Sequence, residues 1–194
     1  MTPHIQGGKP RGWGAHGLAA SRTIDFTPMN QRWKPSVTVA AVAARVHEGQ
    51  TQYLLVEEHT TEGLRLNNPA GHLEPGESPQ QGAVREALEE SACVFTPEFF
   101  LGVYLSRTTR AVGDDTTYVR LAFAGHVGQA DATRRLDEGI VRTLWLTLAE
   151  VRESQARHRS PLVLRCIEDH AAGRFLPLSS VYTDAAALEV RGNP

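Results

Sequence analysis

The chain has 194 residues, of which 41% are hydrophobic, so it is long enough to form one domain with an ordinary core. Its formal net charge of -2 and its pI near 6.4 give no overall positive field that would attract nucleic acid or an acidic membrane surface. The cysteines, Cys93 and Cys166, belong to no CxxC or Cys/His cluster, which fits a reducing cytosol better than a disulfide scaffold. No window approaches the ~18 consecutive apolar residues of a membrane span. We therefore expect a soluble, cytoplasmic protein.

The chain begins with a segment whose composition differs from the rest. Residues 1–35 mix Gly, Pro, Arg and His without apolar periodicity, and we predict a disordered N-terminal extension there. A second methionine, Met29, lies just before the first strand-like run, which leads to the hypothesis that the native protein starts at Met29. Residues 36–180 are predicted to form the domain, and residues 181–194 a C-terminal tail.

Five segments have the composition of β-strands, with β-branched and aromatic residues that either run continuously or alternate with polar ones. They are VTVAAVAARV from Val37, QYLLVEE after the turn at 47–50, FFLGVYLSRT at 99–108, TTYVRLAFAGHV at 116–127 and IVRTLWLT at 140–147. Two late segments are predicted helices, LAEVRES at 148–154 and SPLVLRCIEDHAAG at 160–173. In the second, we expect Ser160 to cap the helix, Pro161 to be its first residue, and the helix to end before Gly173.

Another helix is predicted in the middle of the chain. Ser78 is suited to cap it and Pro79 to its first turn, so we predict a helix from Pro79 to Ser91. Strands before and after this helix, together with the C-terminal helix, predict an α/β sandwich with helices on both sides of a mixed sheet.

This central helix presents three glutamates on one face. At ~100° per residue, Glu86, Glu89 and Glu90 fall within ~100° of one another and form an exposed acidic stripe. The opposite face carries Val84, Ala87 and Leu88. Like charges at i and i+4 destabilise a helix by ~0.2–0.5 kcal/mol, and no Lys or Arg four residues on compensates Glu86 or Glu90. The stripe is therefore either a solvated face or a set of carboxylates that bind a hard divalent cation such as Mg²⁺.

The loop before the helix favours the metal site. Gly71, Pro75 and Gly76 predict a tight, irregular turn, which lets a backbone carbonyl bend toward the same ion. Glu77 can then approach Arg85 from the loop, and a buried arginine–carboxylate pair would hold the loop against the helix.

The residues from Gly71 to Cys93, GHLEPGESPQQGAVREALEESAC, resemble the Nudix box. That motif has glycine, five free positions, glutamate, seven free positions, Arg-Glu, an apolar residue, one free position, Glu-Glu, one free position, glycine and an apolar residue. The matching residues here are Gly71, Glu77, Arg85, Glu86, Ala87, Glu89, Glu90 and Cys93. Ala92 replaces the last glycine, where glycine would ease the exit from the helix. The motif identifies the chain as a member of the MutT-like Nudix hydrolases, whose fold is an α/β/α sandwich.

This resemblance implies a metal site and a reaction. Glu86, Glu89 and Glu90, with the carbonyl of Gly71, would hold Mg²⁺ or Mn²⁺ against a substrate diphosphate, and Glu77 and Arg85 would be a supporting pair. Members of the family split a diphosphate linked to another moiety by attack of water on phosphorus. For the general base the resemblance implies Glu89 or Glu86. A weaker candidate is Glu138, in the loop before the strand IVRTLWLT, for which a solvated loop acid is the alternative.

The resemblance extends beyond the box, over roughly Trp33 to Leu178. The strings KPSVTVAAV, YLLVEE, NNPAGHLE, RSPLV and RFLPL are similar to the NudJ-type phosphatase branch of the family. That branch hydrolyses nucleoside tri- and diphosphates and the pyrophosphate of the thiamine pyrimidine precursor, and releases orthophosphate. The alternatives are an ADP-ribose or sugar-nucleotide pyrophosphatase, and a Nudix module that senses nucleotides without cleaving them. Decapping of RNA has no support from the net charge.

Substrate-binding residues outside the box are less defined. Arg107, Arg110 and Arg120 lie in or beside the strands after the box and could reach phosphate or stack on a base; the alternative for each is surface charge. His72 could meet a substrate phosphate or be a hydrogen-bonded loop residue. An aromatic residue that stacks on a nucleobase could be among Tyr53, Tyr104, Tyr118 and Trp145. We expect a small-molecule diphosphate as the partner, no nucleic acid, and a monomer or homodimer.

Overall fold

The structure is a computed structural model that describes residues 33–109 and 115–189. Its strands are β1 (Ser36–His47), β2 (Gln50–Thr60), β3 (Gly63–Asn67), β4 (Ala70–His72), β5 (Phe95–Thr109), β6 (Asp115–Val127) and β7 (Ile140–Thr147). Its α-helices are α1 (Pro79–Ser91), α2 (Leu148–Glu153) and α3 (Leu162–Ala171), and short 3-10 helices lie at Gln155–Arg157, Leu178–Ser180 and Ala185–Leu188. Residues 1–32, which include Met29 and nearly all of the predicted extension, lie outside the described residues, as do Arg110 and the last five residues of the predicted tail.

Strand β1 lies at the centre of a mixed sheet with the order β3-β2-β1-β6-β5. Its first part, 36–43, pairs parallel to β6, and its last part, 44–47, pairs antiparallel to β2. The short strand β4 pairs with the other side of β1, and β7 pairs with β2. The parallel pair places Thr38 beside Arg120, which brings the start of the domain next to a strand late in the chain.

The two faces of β1 belong to two hydrophobic cores, because successive side chains of a strand point to opposite faces of the sheet. Ala40 and Val42 pack in a cluster with Val163 and Ile167 of α3. On the other face, β1 contributes to a cluster that contains Val39, Ala41, Ala83, Ala87, Phe95 and Phe123. Helix α3 therefore covers one face and α1 the other, which confirms the predicted α/β sandwich with a mixed sheet.

The sequence predicted the long elements and missed the short ones. The five predicted strands and three predicted helices are present, with shifted ends. Strands β3 and β4 were not predicted because five and three residues are too few to show a periodicity. Both cysteines are free and buried. Among the described helices, none is long and apolar enough to cross a membrane.

Helix α3 begins later than the sequence predicted. Pro161 is its cap and Leu162 its first residue, so the placement of Pro161 inside the helix was wrong. The physical reason is that the first hydrogen bond of the helix runs from the amide of Arg165 to the carbonyl of Pro161 at 3.2 Å, which makes Pro161 the cap although its φ of -58 and ψ of -20 are already helical. Ser160 still helps the start, since its Oγ accepts from the amide of Leu162 at 3.3 Å.

Candidate active site

Helix α1 starts as its sequence predicts. The Oγ of Ser78 accepts a hydrogen bond from the amide of Gln81 at 3.2 Å, and the Gln81 side chain accepts from the amide of Ser78 at 2.8 Å. This reciprocal capping box, with Pro79 in the first turn, fixes where the helix begins. The start in turn sets which residues of α1 face the loop that precedes it.

Arg85 makes five hydrogen bonds, of which three join the helix to the segment before it. Its Nε and Nη2 donate to the two carboxylate oxygens of Glu77 at 3.0 and 2.8 Å, and Nη2 also donates to the carbonyl of His72 at 2.9 Å. Its Nη1 donates to Glu86 at 2.7 Å and to Glu89 at 2.9 Å. The Glu77–Arg85 contact expected from the sequence is therefore present, in the bidentate form that gives an arginine–carboxylate pair its geometric specificity.

The glutamates of α1 do not form the exposed stripe that helical spacing suggested. Glu86 is only 7% exposed, and Glu90 is partly buried with its Oε2 accepting from the amide of Ala70 at 2.9 Å. The expectation was wrong because α1 packs with this face toward β4. Gly71 makes the approach feasible, since a Cβ there would lie 2.2 Å from the nearest oxygen of Glu86.

Burial and partners separate the glutamate pKa values. Burial raises the pKa of Glu90 to about 8, and the nearby charges of Glu86 and Glu58 act in the same direction. Burial also raises the pKa of Glu86, against the opposing effect of Arg85. The Arg85 guanidinium instead holds the pKa of Glu77 below its ordinary value. Glu77 is thus a carboxylate whose charge Arg85 neutralises, whereas burial disfavours the ionised forms of Glu86 and Glu90 in the metal-free protein.

This donor set fits a hard divalent cation. Carboxylate oxygens are the ligands that Mg²⁺ and Mn²⁺ prefer, and an added positive charge would stabilise the ionised forms of Glu86 and Glu90. In the arrangement seen here, no three acidic, histidine or cysteine side chains of the described residues converge closely enough to hold an ion. The reason is local, because Arg85 takes oxygens of Glu86 and Glu89 while Glu90 is turned to Ala70. The ligand roles, including that of the Gly71 carbonyl, stay predictions.

The loop before β7 brings an acid that sequence reasoning missed. Glu138, the weaker base candidate, is exposed. Its neighbour Asp137 donates its backbone amide to the carbonyl of Glu89 at 3.0 Å, and the charge of Asp137 raises the pKa of both Glu86 and Glu90. The sequence places an acidic pair in this loop but cannot say which member faces the helix.

A polar pocket of about 220 Å³ adjoins the box. It is lined by Thr38, Glu58, Asn67, Ala70, Gly71, His72, Ser106, Thr108, Tyr118, Arg120, Arg159, Ser160 and Leu162. Gly71 and His72 belong to β4 at the start of the box, so the pocket opens beside the glutamates of α1.

The structure places some of the predicted substrate-binding candidates in the pocket and others outside it. Arg120 is only 7% exposed and lines the pocket, so the surface-charge alternative is wrong for it. Arg107 forms an exposed ion pair with Asp115 and is outside the pocket lining. His72 and Tyr118 line the pocket with their ring centroids 6.3 Å apart. The other predicted aromatics, Tyr53, Tyr104 and Trp145, belong to or pack against the hydrophobic clusters.

Sequence reasoning missed several of the lining residues. Thr38, Glu58, Asn67 and Arg159 come from four distant segments, and only the sheet pairing and the contact of Arg159 with Leu66 bring them together. Glu58 is the second glutamate of YLLVEE, a polar residue at the end of a buried strand, which was the available signal.

The sandwich and its loop–helix motif define the chain as a Nudix hydrolase. The NUDIX domain family matches residues 37–166, and the chain belongs to that family. Phosphatase NudJ of Escherichia coli (strain K12) is 32% identical over 149 residues, which cover 77% of this chain and 92% of that protein. A NUDIX hydrolase from Nitrosomonas europaea has a TM-score of 0.70 at 47% identity, with 78% of this chain and 98% of that chain covered. The NUDIX domain of Shewanella oneidensis NrtR, solved with ADP ribose, has a TM-score of 0.61 at 20% identity over 77% of this chain and 94% of that one, and shows the fold alone.

Proposed function

We propose that the chain is a Mg²⁺-dependent, NudJ-like phosphatase that cleaves diphosphate linkages in small molecules and releases orthophosphate. Its substrates would be nucleoside tri- and diphosphates and the pyrophosphate of the thiamine pyrimidine precursor. The observation that carries the proposal is the position of the box carboxylates beside a polar pocket, with Gly71 shared by both. The identity with Phosphatase NudJ supports this activity over others in the family.

The carboxylates of α1 are proposed to hold the catalytic cation. When Mg²⁺ or Mn²⁺ is bound, it supplies charge neutralisation for the phosphate oxygens and a lower pKa for the attacking water. The residues that would hold it are Glu86, Glu89 and Glu90, with the carbonyl of Gly71. Arg85 keeps the loop in register with these residues through its bonds to Glu77 and His72.

A carboxylate beside the cation is proposed to take the proton from water. Glu89 and Glu86 are the candidates in the box, and the Glu89 side chain is more accessible, 30% exposed against 9% for Glu86. A base has to reach the water that it activates, so accessibility favours Glu89. In the loop before β7, the Asp137 carboxylate lies close enough to the box for its charge to raise the pKa of Glu86 and of Glu90, which makes Asp137 a stronger candidate than Glu138.

A metal-dependent hydrolysis screen with identified products tests the proposal. The purified chain is incubated with nucleoside tri- and diphosphates, thiamine-precursor pyrophosphate and ADP-ribose, with Mg²⁺, with Mn²⁺ and with EDTA. Orthophosphate released only with a divalent cation is the expected result. Two monophosphates from ADP-ribose as the main reaction would identify a pyrophosphatase instead, and binding without any product would identify a sensor module.

In the same screen, the variant Glu90→Gln tests the proposed metal ligands. We expect it to lower kcat by orders of magnitude while the protein stays folded, because the amide replaces a proposed ligand and keeps the size of the side chain. Glu153→Gln, an exposed glutamate of α2, is the control. Activity of Glu90→Gln within a few-fold of wild type would refute the site. The expectations of a monomer or homodimer, a cytoplasmic location and no nucleic-acid partner stay predictions.

A further inference from the structure

The pocket beside the box contains buried hydrogen-bond donors and buried acceptors that have no partner. Among the described side chains, Nε and Nη1 of Arg120 are buried donors with no acceptor, and Oε1 of Glu58 is a buried acceptor with no donor. The hydroxyl of Thr38, beside Arg120 in the sheet, is also unpaired. Because an unpaired buried polar atom destabilises the folded state, such a set in one pocket indicates a polar ligand.

Arg120 is poorly satisfied by its neighbours in the protein. Its Nη2 donates to Oδ1 of Asn67 at 3.4 Å, a long hydrogen bond. The other neighbour is the buried thiol of Cys166, which is a weak acceptor. Arg120 is thus a planar group with free donors, held in place by β6 and its partner strands rather than by an ion pair.

Glu58 provides the complementary half of the pocket. Its Oε1 lies 3.8 Å from Nε of Arg159, which is close enough for electrostatic attraction but too long for a hydrogen bond. Glu58 is near enough to Arg120 for its charge to oppose the effect of burial on the guanidinium pKa. The pocket therefore offers a fixed donor and a fixed acceptor within one small volume.

We propose that this pocket binds a planar nitrogen heterocycle whose edge carries an acceptor next to an amine or ring N–H, with Arg120 donating to the acceptor and Glu58 accepting from the N–H. The inference rests on the proposed function, since the heterocycle is the moiety that the diphosphate joins. A cytosine or aminopyrimidine edge has this pattern.

The same observations argue against a phosphate in this position. A phosphate would satisfy Arg120, but it would leave the Glu58 acceptor unpaired and put like charges side by side. At about 220 Å³ the pocket is below the usual ~300–1,000 Å³ of ligand sites, so it has room for a ring rather than a whole nucleotide. The diphosphate would then extend past Gly71 toward α1.

Phosphate-free ligands test the pocket without catalysis. Binding of cytidine and of N4,N4-dimethylcytidine, which lacks the amine hydrogens, is measured by ligand-observed NMR in EDTA. Wild type should bind cytidine at least about tenfold more tightly than N4,N4-dimethylcytidine, because a hydrogen bond to a charged group contributes roughly that factor or more. Glu58→Met should bring the two affinities close together, and Glu153→Met, at an exposed site on α2, should leave the preference unchanged.

Arg120→Met should weaken the binding of both nucleosides. Thermal unfolding shows whether this variant of a buried residue is folded. If it is not folded, the comparison of Glu58→Met with wild type decides. An unchanged preference in Glu58→Met, or no binding of either nucleoside by wild type, overturns the inference. So does binding of inorganic pyrophosphate that competes with cytidine in EDTA, which would make the pocket a phosphate site. If wild type prefers cytidine but hydrolyses no substrate, the proposed function is refuted and the pocket assignment stands. If it hydrolyses substrates without this preference, the pocket assignment is refuted and the proposed function stands.

Discussion

Glu90 should make the stability of the metal-free protein fall as pH rises. Burial raises the pKa of its carboxyl to about 8, whereas an ordinary glutamate has a pKa of 4.5. Between these two pH values the folded state binds more protons than the unfolded state, so the free energy of unfolding decreases with increasing pH. The stabilising contribution of the protonated carboxyl is complete below pH 4.5 and is lost as pH rises through about 8.

The size of the effect follows from the pKa difference. Each pKa unit corresponds to ~1.4 kcal/mol, and since Glu90 is only partly buried and can hydrate when it ionises, we expect a loss of roughly 2–3 kcal/mol rather than the full difference. Mg²⁺ should reduce the loss, because a bound cation favours the ionised carboxylate.

Urea unfolding in EDTA at pH 5.5 and at pH 8.5 measures this contribution. Wild type should lose roughly 2–3 kcal/mol relative to Glu90→Gln, whose side chain does not titrate. Subtracting the variant removes the effects of other groups, such as the buried His158 and the partly buried His170, whose lowered pKa values act in the opposite direction. Parallel pH curves for wild type and Glu90→Gln would refute the reasoning that Glu90 is held protonated by burial.

Four further substitutions test three separate parts of the site. Glu77→Gln should lower the free energy of unfolding by about 1–3 kcal/mol in urea denaturation, because it leaves donors of Arg85 unpaired; an unchanged midpoint would count against the pair. Ala92→Gly should raise the melting temperature slightly and leave kcat unchanged, since Ala92 has φ +55, a left-handed conformation that costs an L-residue ~1 kcal/mol or more; a lower melting temperature would contradict this. Asp137→Asn should reduce kcat at least about tenfold if this acid works with the box, because it removes the charge that acts on Glu86 and Glu90, and Glu138→Gln should change kcat less; the reverse order would restore Glu138 as the loop candidate.

Much of the candidate site was predictable because it is local in sequence. The Nudix box places Glu77, Arg85 and the acidic residues of α1 at fixed offsets along one loop and one helix. Helical geometry then determines which of these residues share a face. The replacement of glycine by Ala92 was visible in the sequence as well, but only the backbone shows that Ala92 takes the left-handed conformation, with its amide bonded to the carbonyl of Leu88 at 3.0 Å.

The orientation of the helix was not predictable in the same way. Helical periodicity tells which residues share a face, and a stripe of glutamates normally points to solvent. Here the absence of side chains at Gly71 and Gly82 allows α1 to approach the sheet closely, with Val39 against Gly82 and Glu86 against Gly71. The burial of Glu86 therefore depends on glycine positions whose partners appear only in three dimensions.

The residues that recognise a substrate were the least predictable part. Arg120 looked like any arginine in a strand, and its burial results from the parallel pairing of β6 with β1. Glu58 and Arg159 approach each other only because the 3-10 segment before α3 returns to β3. Contacts between distant segments leave no spacing pattern in the sequence.

The parallel pairing of β1 with β6 determines when the pocket can form during synthesis and folding. Thr38 and Arg120 are neighbours in the sheet, yet the whole box and strand β5 lie between them in the chain. Closing so long a loop is slow and requires most of the domain to have been synthesised. The capping box and the Glu77–Arg85 pair depend only on residues close in sequence, but the pocket does not, so the pocket can form only after β6 has been synthesised and has paired with β1.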